Sequence, residues 1–563
     1  MPNDLCSNER IIIYYCIAAM HDKVNTMSLQ WKSVLFLGAI TLAIGILVLR
    51  FSFTTAEFQY GDNCGYLTLG MAFAQGQGFS DISVPGHPHF LWWPPGFPLA
   101  IALFYSLFGP HWVALKLVIF ALLYVSFFLF TAMLLRKGYG ARDSAAVLVV
   151  VSLSSAIHLL SSYLYSETFF TALTLGFFWL ADRWSGLRRR EIIVLSLMTI
   201  YICAIRNLGI ALPLAFAAYL VMNRQTRLWV LLPAGLLACY AAVVLTVPEL
   251  QVGSFLSFFG IHSAPGYSAG STATGGTLAS FTHRLDAWLH LLPHSLRGYG
   301  ITLIPQALIQ SAYALHSMTK LKAILMGGVT VAVFLGWLQS WKRLPLMNLY
   351  VVFYMAILFA YGPLYVRLLT PLAPMLILYL FTGLKTMAMF AAGMIDGKAI
   401  LPQGPSSDHR PRIGRRPILT ARTALITVLA IAWALVAVDN AWWTFTTPRR
   451  YMPPQFGDDA YQRCLSWVKG HARPDDVVVC DIHSWLFLRR GGNNIPYHFT
   501  DVESNLLTFL DFFTARFMVL PPFHDPDFWY LDTMRALARR NPDHFRLVFG
   551  GWIDSSCVVE YRP

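Results

Sequence analysis

Apolar runs recur along the chain up to about residue 440, and most are long enough to cross a lipid bilayer as a helix. A spanning helix needs about 20 mostly apolar residues. Backbone groups inside lipid must be hydrogen-bonded within their own element, so such runs fold as helices. Eleven runs qualify, and the pair 192–206 and 208–222 is the shortest. The eleven are 31–53, 112–135, 144–163, 166–183, 192–206, 208–222, 228–247, 321–341, 346–366, 368–394 and 419–440.

The composition excludes most soluble classes of protein. Hydrophobic residues make up 56% of the 563 and charged residues only 13%, whereas an average soluble protein has about a quarter charged residues. The mean hydropathy of +0.53 agrees. A disordered chain, a coiled coil and an ordinary soluble enzyme are thereby excluded. We predict an α-helical polytopic membrane protein with about eleven spans.

Positive charge is concentrated in the apolar part. The whole chain has 42 Lys/Arg and 29 Asp/Glu residues, but the part from Ala441 onward has 13 and 14. The excess of basic over acidic residues therefore lies before Ala441, in short loops between apolar runs. This pattern is typical of loops retained on the cytoplasmic side of a membrane. We expect membrane lipid and no nucleic acid as a partner.

The loops also predict the orientation. Sixteen basic residues lie in the loops after the second, fourth, sixth, eighth and tenth runs, and segment 54–111 contains none. They are Arg136, Lys137, Arg142, Arg183, Arg188, Arg189, Arg190, Arg224, Arg227, Lys342, Arg343, Lys398, Arg410, Arg412, Arg415 and Arg416. Residues 1–30 are thus predicted to be cytoplasmic, and loops 54–111 and 248–320 external. The second external loop contains a Gly/Ser/Thr-rich stretch that we expect to be mobile.

A different pattern begins near Trp442. Segments Asp475–Cys480 and Phe517–Leu520 are predicted strands, and Arg546–Phe549 with Cys557–Glu560 is a predicted hairpin. Helices are predicted at Asp459–Gly470 and Asp527–Arg540. We therefore divide the chain into a membrane domain, 31–441, and a small external α/β domain, 442–563. The spacing of Cys464, Cys480 and Cys557 leaves open whether one disulfide forms there.

Four ionisable residues stand at the ends of apolar runs: Asp62, Glu167, Arg206 and Arg367. Charges at such places are costly and are functional by default. The predicted orientation, which did not use them, puts all four on the external side. Guanidiniums suit a phosphate group, and a carboxylate can accept a proton from an attacking hydroxyl.

Each of the four also has a purely structural interpretation. Asp62 could be a solvated loop residue, and Glu167 could be a helix N-terminal charge favoured by the helix dipole. Arg206 could pair with Glu167 for stability alone. Arg367 could extend to the lipid headgroups. His87 and His89 lack carboxylates at ligand spacing, so we interpret them as loop residues and expect no metal site.

Several motifs resemble a known family. Asp-x-x-x-Tyr-Leu at Asp62–Leu67, Ala-x-Gly-x-Gly-Phe at Ala74–Phe79 and Pro-Pro-Gly-Phe-Pro-Leu at Pro94–Leu99 resemble the first external loop of GT-C superfold membrane glycosyltransferases. Arg206–Gly209 and Arg367–Pro374 are similar to recurrent positions there, as is Ser166–Glu167. The most similar group includes the dolichyl-phosphate-mannose protein mannosyltransferases, the aminoarabinose transferases and the Rgt-type transferases. The tail, including Trp467–Val479 and Leu488–Gly491, is similar to that group's periplasmic domain.

The resemblance implies an inverting transfer of a sugar from a polyprenyl-phosphate donor to a glycan, lipid or protein acceptor at the outer face of a bacterial inner membrane. Asp62 matches the acidic residue that acts as the catalytic base, and Glu167 would orient the acceptor or tune that base. Arg206 and Arg367 would stabilise the departing phosphate. Tyr66 and Glu57 are the further substrate-binding candidates.

One departure from the family pattern narrows this expectation. Asp62 is followed by Asn63 rather than a second acidic residue, and Glu57 lies five residues earlier. This argues against protein O-mannosylation and against a metal held by paired acids. We expect no cofactor, and nothing in the sequence supports a divalent metal.

A transporter or flippase for a lipid-linked or anionic solute is the alternative from another class. Transporters often have inverted repeats, and no such repeat is evident in this chain.

Overall fold

The computed structural model covers the chain and describes most of it. The described residues are 31–54, 62–89, 93–161, 163–184, 187–224, 227–246, 292–309, 320–361, 366–395, 415–450, 459–480, 486–488, 491–495, 506–507, 510–520, 529–551 and 556–563. The N-terminal segment 1–30 and the Gly/Ser/Thr-rich stretch, for which predictions were made above, lie outside them.

In each of the eleven apolar runs, most of the described residues lie in helices. The helices before the sheet domain are α1 Trp31–Phe51, α2 Asp62–Ala74, α3 Gly96–Phe108, α4 Trp112–Arg136, α5 Ala141–Ser152, α6 Ser155–Ser161, α7 Ser166–Arg183, α8 Arg189–Ile205, α9 Ala211–Met222, α10 Arg227–Thr246, α11 Ile304–Leu308, α12 Lys320–Ser340, α13 Pro345–Tyr361, α14 Ala373–Ile395 and α15 Arg415–Arg450. A π-helical segment, Gly298–Leu303, precedes α11, and 3₁₀ segments precede α9 and α14.

Six helical stretches among the described residues are long and apolar enough to cross a membrane. They are Trp31–Phe51, Trp112–Arg136, Ala141–His158, Lys320–Ser340, Val366–Ala391 and Thr427–Thr446. Four shorter apolar helices accompany them, including Asn207–Met222. The fold is therefore that of a multi-pass helical protein, while the count of eleven spans stays a prediction.

The run 144–163 differs from its prediction as a single helix. The structure divides it at Leu153 and Ser154 into α5 and α6. Side chains satisfy the backbone at this break, because Tyr124 donates its hydroxyl to the Ser152 carbonyl at 2.9 Å. The imidazole of the buried His158 lies 2.7 Å from the same carbonyl. Buried backbone groups need such partners.

Helices α2 and α3 pack against each other in the segment between the first two long helices. Helix α3 begins at Gly96 and, with 13 residues, is shorter than the long apolar helices on either side. One face of α3 is buried through Phe97 and Ile101. The opposite face exposes Leu99, Leu103 and Leu107 at intervals of four residues, which suits a helix that lies against lipid.

The C-terminal part forms a five-stranded sheet. The strands are β1 Val477–Val479, β2 Asn494–Ile495, β3 Ala515–Leu520, β4 Phe545–Gly550 and β5 Cys557–Tyr561. Their order is β2-β1-β3-β5-β4, with β1 parallel to β2 and β3, and β5 antiparallel to β3 and β4. The predicted hairpin is confirmed, with Phe545 opposite Tyr561.

Two helices cover the faces of this sheet. Helix α16, Asp459–His471, contributes Leu465 and Val468 to one apolar cluster with Val478. Helix α17, Trp529–Arg540, contributes Met534 and Ala538 to the other. Alternate strand residues enter opposite clusters, as the pleat of a strand requires. The predicted α/β fold of this part is confirmed.

The described cysteines of the sheet domain form no disulfide. Cys464, Cys480 and Cys557 are buried thiols, so the disulfide that their spacing left open does not form. Helix α15 continues to Arg450, past the predicted end of the membrane domain at residue 441, and the domain boundary stays a prediction.

The segment between α2 and α3 also contacts the sheet domain. The backbone N–H of Asn494 donates a hydrogen bond to the backbone carbonyl of Ser83 at 2.7 Å. Val84 is 2% exposed and belongs to the apolar cluster that contains Val479 and Leu520. The segment that begins with Asp62 is thus held by the sheet as well as by the helices.

Candidate active site

The structure brings together the four ionisable residues that the sequence singled out. Arg367 Nη2 lies 2.7 Å from Asp62 Oδ2. Arg367 Nε also donates to Glu167 Oε1, and Arg206 Nη1 lies 2.7 Å from that same oxygen. One continuous chain of ion pairs therefore joins Asp62, Arg367, Glu167 and Arg206. We call these four residues the ionic cluster.

Exposure separates the cluster into an inner and an outer half. The Glu167 side chain is fully buried and that of Arg206 is 13% exposed. The side chains of Asp62 and Arg367 are 34% and 36% exposed. Only the outer pair, Asp62 and Arg367, is therefore readily available to a ligand. The inner pair holds Arg367 from behind.

The two carboxylates and two guanidiniums balance in formal charge. A buried carboxylate without cationic partners would cost several kcal/mol. Glu167 has two such partners, and Arg367 shares its guanidinium between both carboxylates. The guanidinium suits this role because its N–H donors are arranged in a rigid fork.

Glu167 is positioned by the start of α7. The helix follows Tyr165, whose backbone is extended, so the chain turns sharply into the helix at Ser166. The Ser166 hydroxyl accepts a hydrogen bond from Arg206 Nη1 at 3.0 Å and lies 3.4 Å from Glu167 Oε2. It also shares a hydrogen bond with the Tyr66 hydroxyl at 3.1 Å. Ser166 thus links the inner pair to α2.

Arg206 lies at the break between α8 and α9. Its backbone is extended, with φ −149° and ψ 139°, and the 3₁₀ segment Asn207–Ile210 follows. A Cβ at Gly209 would lie 2.7 Å from the Ile202 carbonyl oxygen and 2.8 Å from Cys203 Cα. The chain can fold back against α8 at this break only because residue 209 has no side chain.

Arg367 lies on the 3₁₀ segment Val366–Leu372. Tyr354 of α13 donates its hydroxyl to the Leu368 carbonyl at 2.8 Å, which fixes the backbone next to Arg367. The guanidinium also lies over the Tyr165 ring, 4.5 Å from its centroid. Such a cation–π contact favours one orientation of the arginine.

Asp62 is the first residue of α2, and the helix is fixed through Tyr66. The Tyr66 ring lies 4.6 Å from that of Trp93 and 5.1 Å from that of Phe97, measured between centroids. A Cβ at Gly96 would lie 2.7 Å from the backbone of Ala204, so α3 begins in direct contact with α8. The segment that carries Asp62 is thereby packed against α8, the helix that ends immediately before Arg206.

Two other predicted site residues are placed differently. Tyr66 is 3% exposed and contacts Ser166, and its role in substrate binding stays a prediction. Glu57 lies outside the described residues.

Among the residues that the structure describes, no group of three or more His, Cys, Asp and Glu residues could hold a metal ion. His87 lies in the turn after α2 with a positive φ of 46°.

Two aromatic residues of the site were not identified from the sequence. Tyr165 lies under Arg367, and Tyr354 fixes the backbone next to Arg367. Tyr165 stands next to Ser166 and Glu167, and this adjacency is the one signal that could have identified it.

The comparisons with known proteins show similarity in structure. No protein-family model and no curated protein matches the chain significantly. A crystal structure of ArnT from Cupriavidus metallidurans bound to undecaprenyl phosphate matches with a TM-score of 0.52 and 14% identity, over 94% of this chain and 97% of that one. The apo state of the same ArnT matches with a TM-score of 0.52 and 16% identity over the same shares.

A crystal structure of the Archaeoglobus fulgidus oligosaccharyltransferase tethered to an acceptor peptide is less similar. Its TM-score is 0.49 at 12% identity, over 87% of this chain and 68% of that one. The match to ArnT spans nearly the full length of both chains, and ArnT is an aminoarabinose transferase of the GT-C type. The chain is therefore a multi-pass membrane protein with the GT-C fold.

Proposed function

We propose that the chain is an inverting glycosyltransferase that moves a sugar from a polyprenyl-phosphate carrier to an acceptor at the outer face of the cytoplasmic membrane. The observation that carries the proposal is the pairing of a partly exposed carboxylate, Asp62, with a partly exposed guanidinium, Arg367. The GT-C fold favours the same class of reaction, and an ArnT with this fold binds undecaprenyl phosphate. The proposed location is a bacterial inner membrane, with the sheet domain external.

Asp62 is the proposed base. Its carboxylate takes the proton of the acceptor hydroxyl while that oxygen attacks the anomeric carbon of the donor sugar. The bond between the anomeric carbon and the phosphate oxygen breaks, and its electron pair stays on the phosphate. The products are the glycosylated acceptor, with inverted configuration, and polyprenyl phosphate. General base catalysis of this kind contributes about 10²–10⁴-fold.

Arg367 is the proposed partner of the departing phosphate. It is more exposed than Arg206 and lies beside the proposed base. Negative charge grows on the phosphate as the bond breaks, and a positioned guanidinium stabilises that charge. A phosphate brought to Arg367 also competes with Asp62 for the guanidinium. Donor binding therefore releases the Asp62 carboxylate at the moment when a base is needed.

Glu167 acts as a positioning residue in this scheme. Because it is fully buried, it holds Arg206 and Arg367 rather than meeting the acceptor. Arg206 supports the same arrangement through Glu167 and Ser166 and adds positive potential behind the phosphate. Tyr66 orients Ser166. The acceptor class is a glycan, a lipid or a protein, and no step requires a cofactor.

A turnover assay in detergent tests the proposal. The purified full chain is given polyprenyl-phosphate-linked hexoses and pentoses together with envelope lipid and glycan fractions, and release of free polyprenyl phosphate is measured. We expect release that depends on the acceptor fraction. The control is Asp143→Asn, which removes a partly exposed carboxylate that pairs with Lys385 and takes no part in the ionic cluster.

The transporter alternative gives the opposite result in the same assay. A transporter needs two compartments and leaves the sugar–phosphate bond intact. Absence of turnover in detergent, combined with exchange of the intact lipid-linked sugar across proteoliposomes, would replace the glycosyltransferase proposal by the transporter.

A further inference from the structure

A second charged cleft lies among the helix ends that are remote from the ionic cluster. It is bordered by the end of α4, the end of α7, Tyr219 of α9 and the start of α13. Its polar lining includes Lys137, Asp182 and Arg343, and its apolar lining includes Met133, Phe178 and Leu346. The loop residues on this side are the ones whose positive charge predicts a cytoplasmic location.

Positive charge exceeds negative charge at this cleft. The Asp182 carboxylate meets two cations, with Lys137 Nζ at 2.7 Å from Oδ1 and Arg136 Nε at 3.1 Å from Oδ2. Arg343 adds a third cation and lies over the Tyr139 ring, 5.1 Å from its centroid. Asp182 therefore pairs with two cations, Arg136 and Lys137, while Arg343 is a further cation that lines the cleft together with Lys137. Asp182 is only 8% exposed, whereas Lys137 and Arg136 are 34% and 40% exposed, so the cations form the accessible side.

The depth of the cleft indicates the kind of anion. Helix α4 is long and apolar enough to cross the membrane, and Arg136 is its last residue. A helix that crosses the bilayer brings its last residues to the phosphate layer, immediately outside the hydrocarbon core. Basic pockets between membrane helices on the cytoplasmic side suit anionic lipid headgroups. The apolar wall of the cleft suits the glycerol and the first carbons of the acyl chains.

We infer that this cleft binds the headgroup phosphate of an anionic phospholipid of the cytoplasmic leaflet. Lys137 and Arg343 contact the phosphate, and Asp182 holds Lys137 and Arg136 in place. The site is separate from the proposed transfer reaction and does not depend on it.

Native mass spectrometry of the delipidated full chain tests the inference. Phosphatidylglycerol and phosphatidylcholine with identical acyl chains are titrated separately, and bound lipid is counted. We expect the wild-type chain to bind phosphatidylglycerol more tightly than phosphatidylcholine. The double variant Lys137→Gln/Arg343→Gln is expected to lose about tenfold in affinity for phosphatidylglycerol. The double variant Arg142→Gln/Arg190→Gln removes the same charge from the same predicted side, outside the cleft, and should keep the wild-type affinity.

One further variant and one competition measurement show whether a loss of lipid binding comes from the cleft itself. Arg343→Gln alone leaves the ion pairs of Asp182 intact, so a loss of lipid there does not come from breaking those pairs. Inorganic phosphate at millimolar concentration should not displace the lipid. Equal affinity in the cleft variants and the control variants would overturn the inference, and so would displacement by inorganic phosphate, which would indicate a site for a soluble anion.

Discussion

At the scale of single residues, Arg367 joins two carboxylates through different nitrogen atoms. It reaches Asp62 through Nη2 and Glu167 through Nε, while its ring partner Tyr165 fixes the plane of the guanidinium. No other side chain type offers two donors in a fixed plane with a permanent charge. The geometry of the outer half of the ionic cluster therefore depends on an arginine at this position.

Replacement of Arg367 by lysine tests this dependence. A lysine keeps the charge but provides a single ammonium on a flexible stem, so it cannot hold both carboxylates and a phosphate together. Release of polyprenyl phosphate by Arg367→Lys should fall about 10²-fold while the chain stays folded. Arg516→Lys is the matched control, because Arg516 also contacts two carboxylates, Asp476 and Glu560, in the sheet domain. Full turnover by Arg367→Lys would contradict the proposed role.

The sequence identifies the charged members of the site but not their contacts. Asp62, Glu167, Arg206 and Arg367 are identifiable because charge at the end of an apolar run is costly. Their common side is predictable from the basic loops. The contacts depend on the angles between helices and on side-chain rotamers. This holds for the pairing of Arg367 with two carboxylates, for the hydrogen bonds of Ser166 and for the position of the Tyr165 ring. A single sequence carries no direct signal of the angles or the rotamers.

The thiol of Cys557 provides a prediction from the sheet domain. Burial raises the pKa of the Cys557 thiol to about 11, against a partial lowering by Arg535 and Arg539. At pH 8 the thiol is therefore protonated, and the thiolate that reacts with iodoacetamide forms only as the pH approaches 11. Peptide mass spectrometry should find Cys557 unmodified in the folded chain. An exposed control thiol, Ser466→Cys, should be alkylated fully, and equal rates at the two positions would contradict the burial.

At the scale of elements, breaks in helices position the site. Arg206 lies where α8 ends, Glu167 where α7 begins and Arg367 on a 3₁₀ segment before α14. The long helices are predictable because their apolar runs match the thickness of a bilayer. The break at Leu153 and Ser154 is not predictable in this way, because its backbone is satisfied by Tyr124 from another helix. Strand β2 was missed because two residues cannot show alternation.

Substitution of Gly209 tests the break that positions Arg206. A Cβ there would meet the backbone of Ile202 and Cys203 at 2.7–2.8 Å, and backbone cannot move aside as a side chain can. Gly209→Ala should cost about 1–3 kcal/mol of stability and should lower turnover by displacing Arg206. Thermal unfolding in detergent measures the first effect. Gly176→Ala on α7, where a Cβ meets nothing within 4 Å, is the control. Equal melting temperatures would contradict the close packing.

At the scale of the whole molecule, we predict which side of the membrane the ionic cluster faces. The ionic cluster and the cleft around Lys137 lie at different helix ends, and the loop charges put the cleft on the cytoplasmic side. An impermeant thiol reagent applied to intact cells should label Gln77→Cys, between α2 and α3, and Lys469→Cys on the sheet domain. Arg142→Cys should be labelled only after the cells are permeabilised. The reverse pattern would place the ionic cluster in the cytoplasm, where a polyprenyl-phosphate donor of the outer leaflet could not reach it.

The turnover of Asp62→Asn decides whether Asp62 removes a proton while the sugar leaves a lipid phosphate held by Arg367. The amide keeps the size of the side chain but cannot accept the proton. We predict that Asp62→Asn still binds the polyprenyl-phosphate sugar but releases polyprenyl phosphate about 10²-fold more slowly than the wild-type chain, or slower still. Turnover at the wild-type rate would show that Asp62 is not the base.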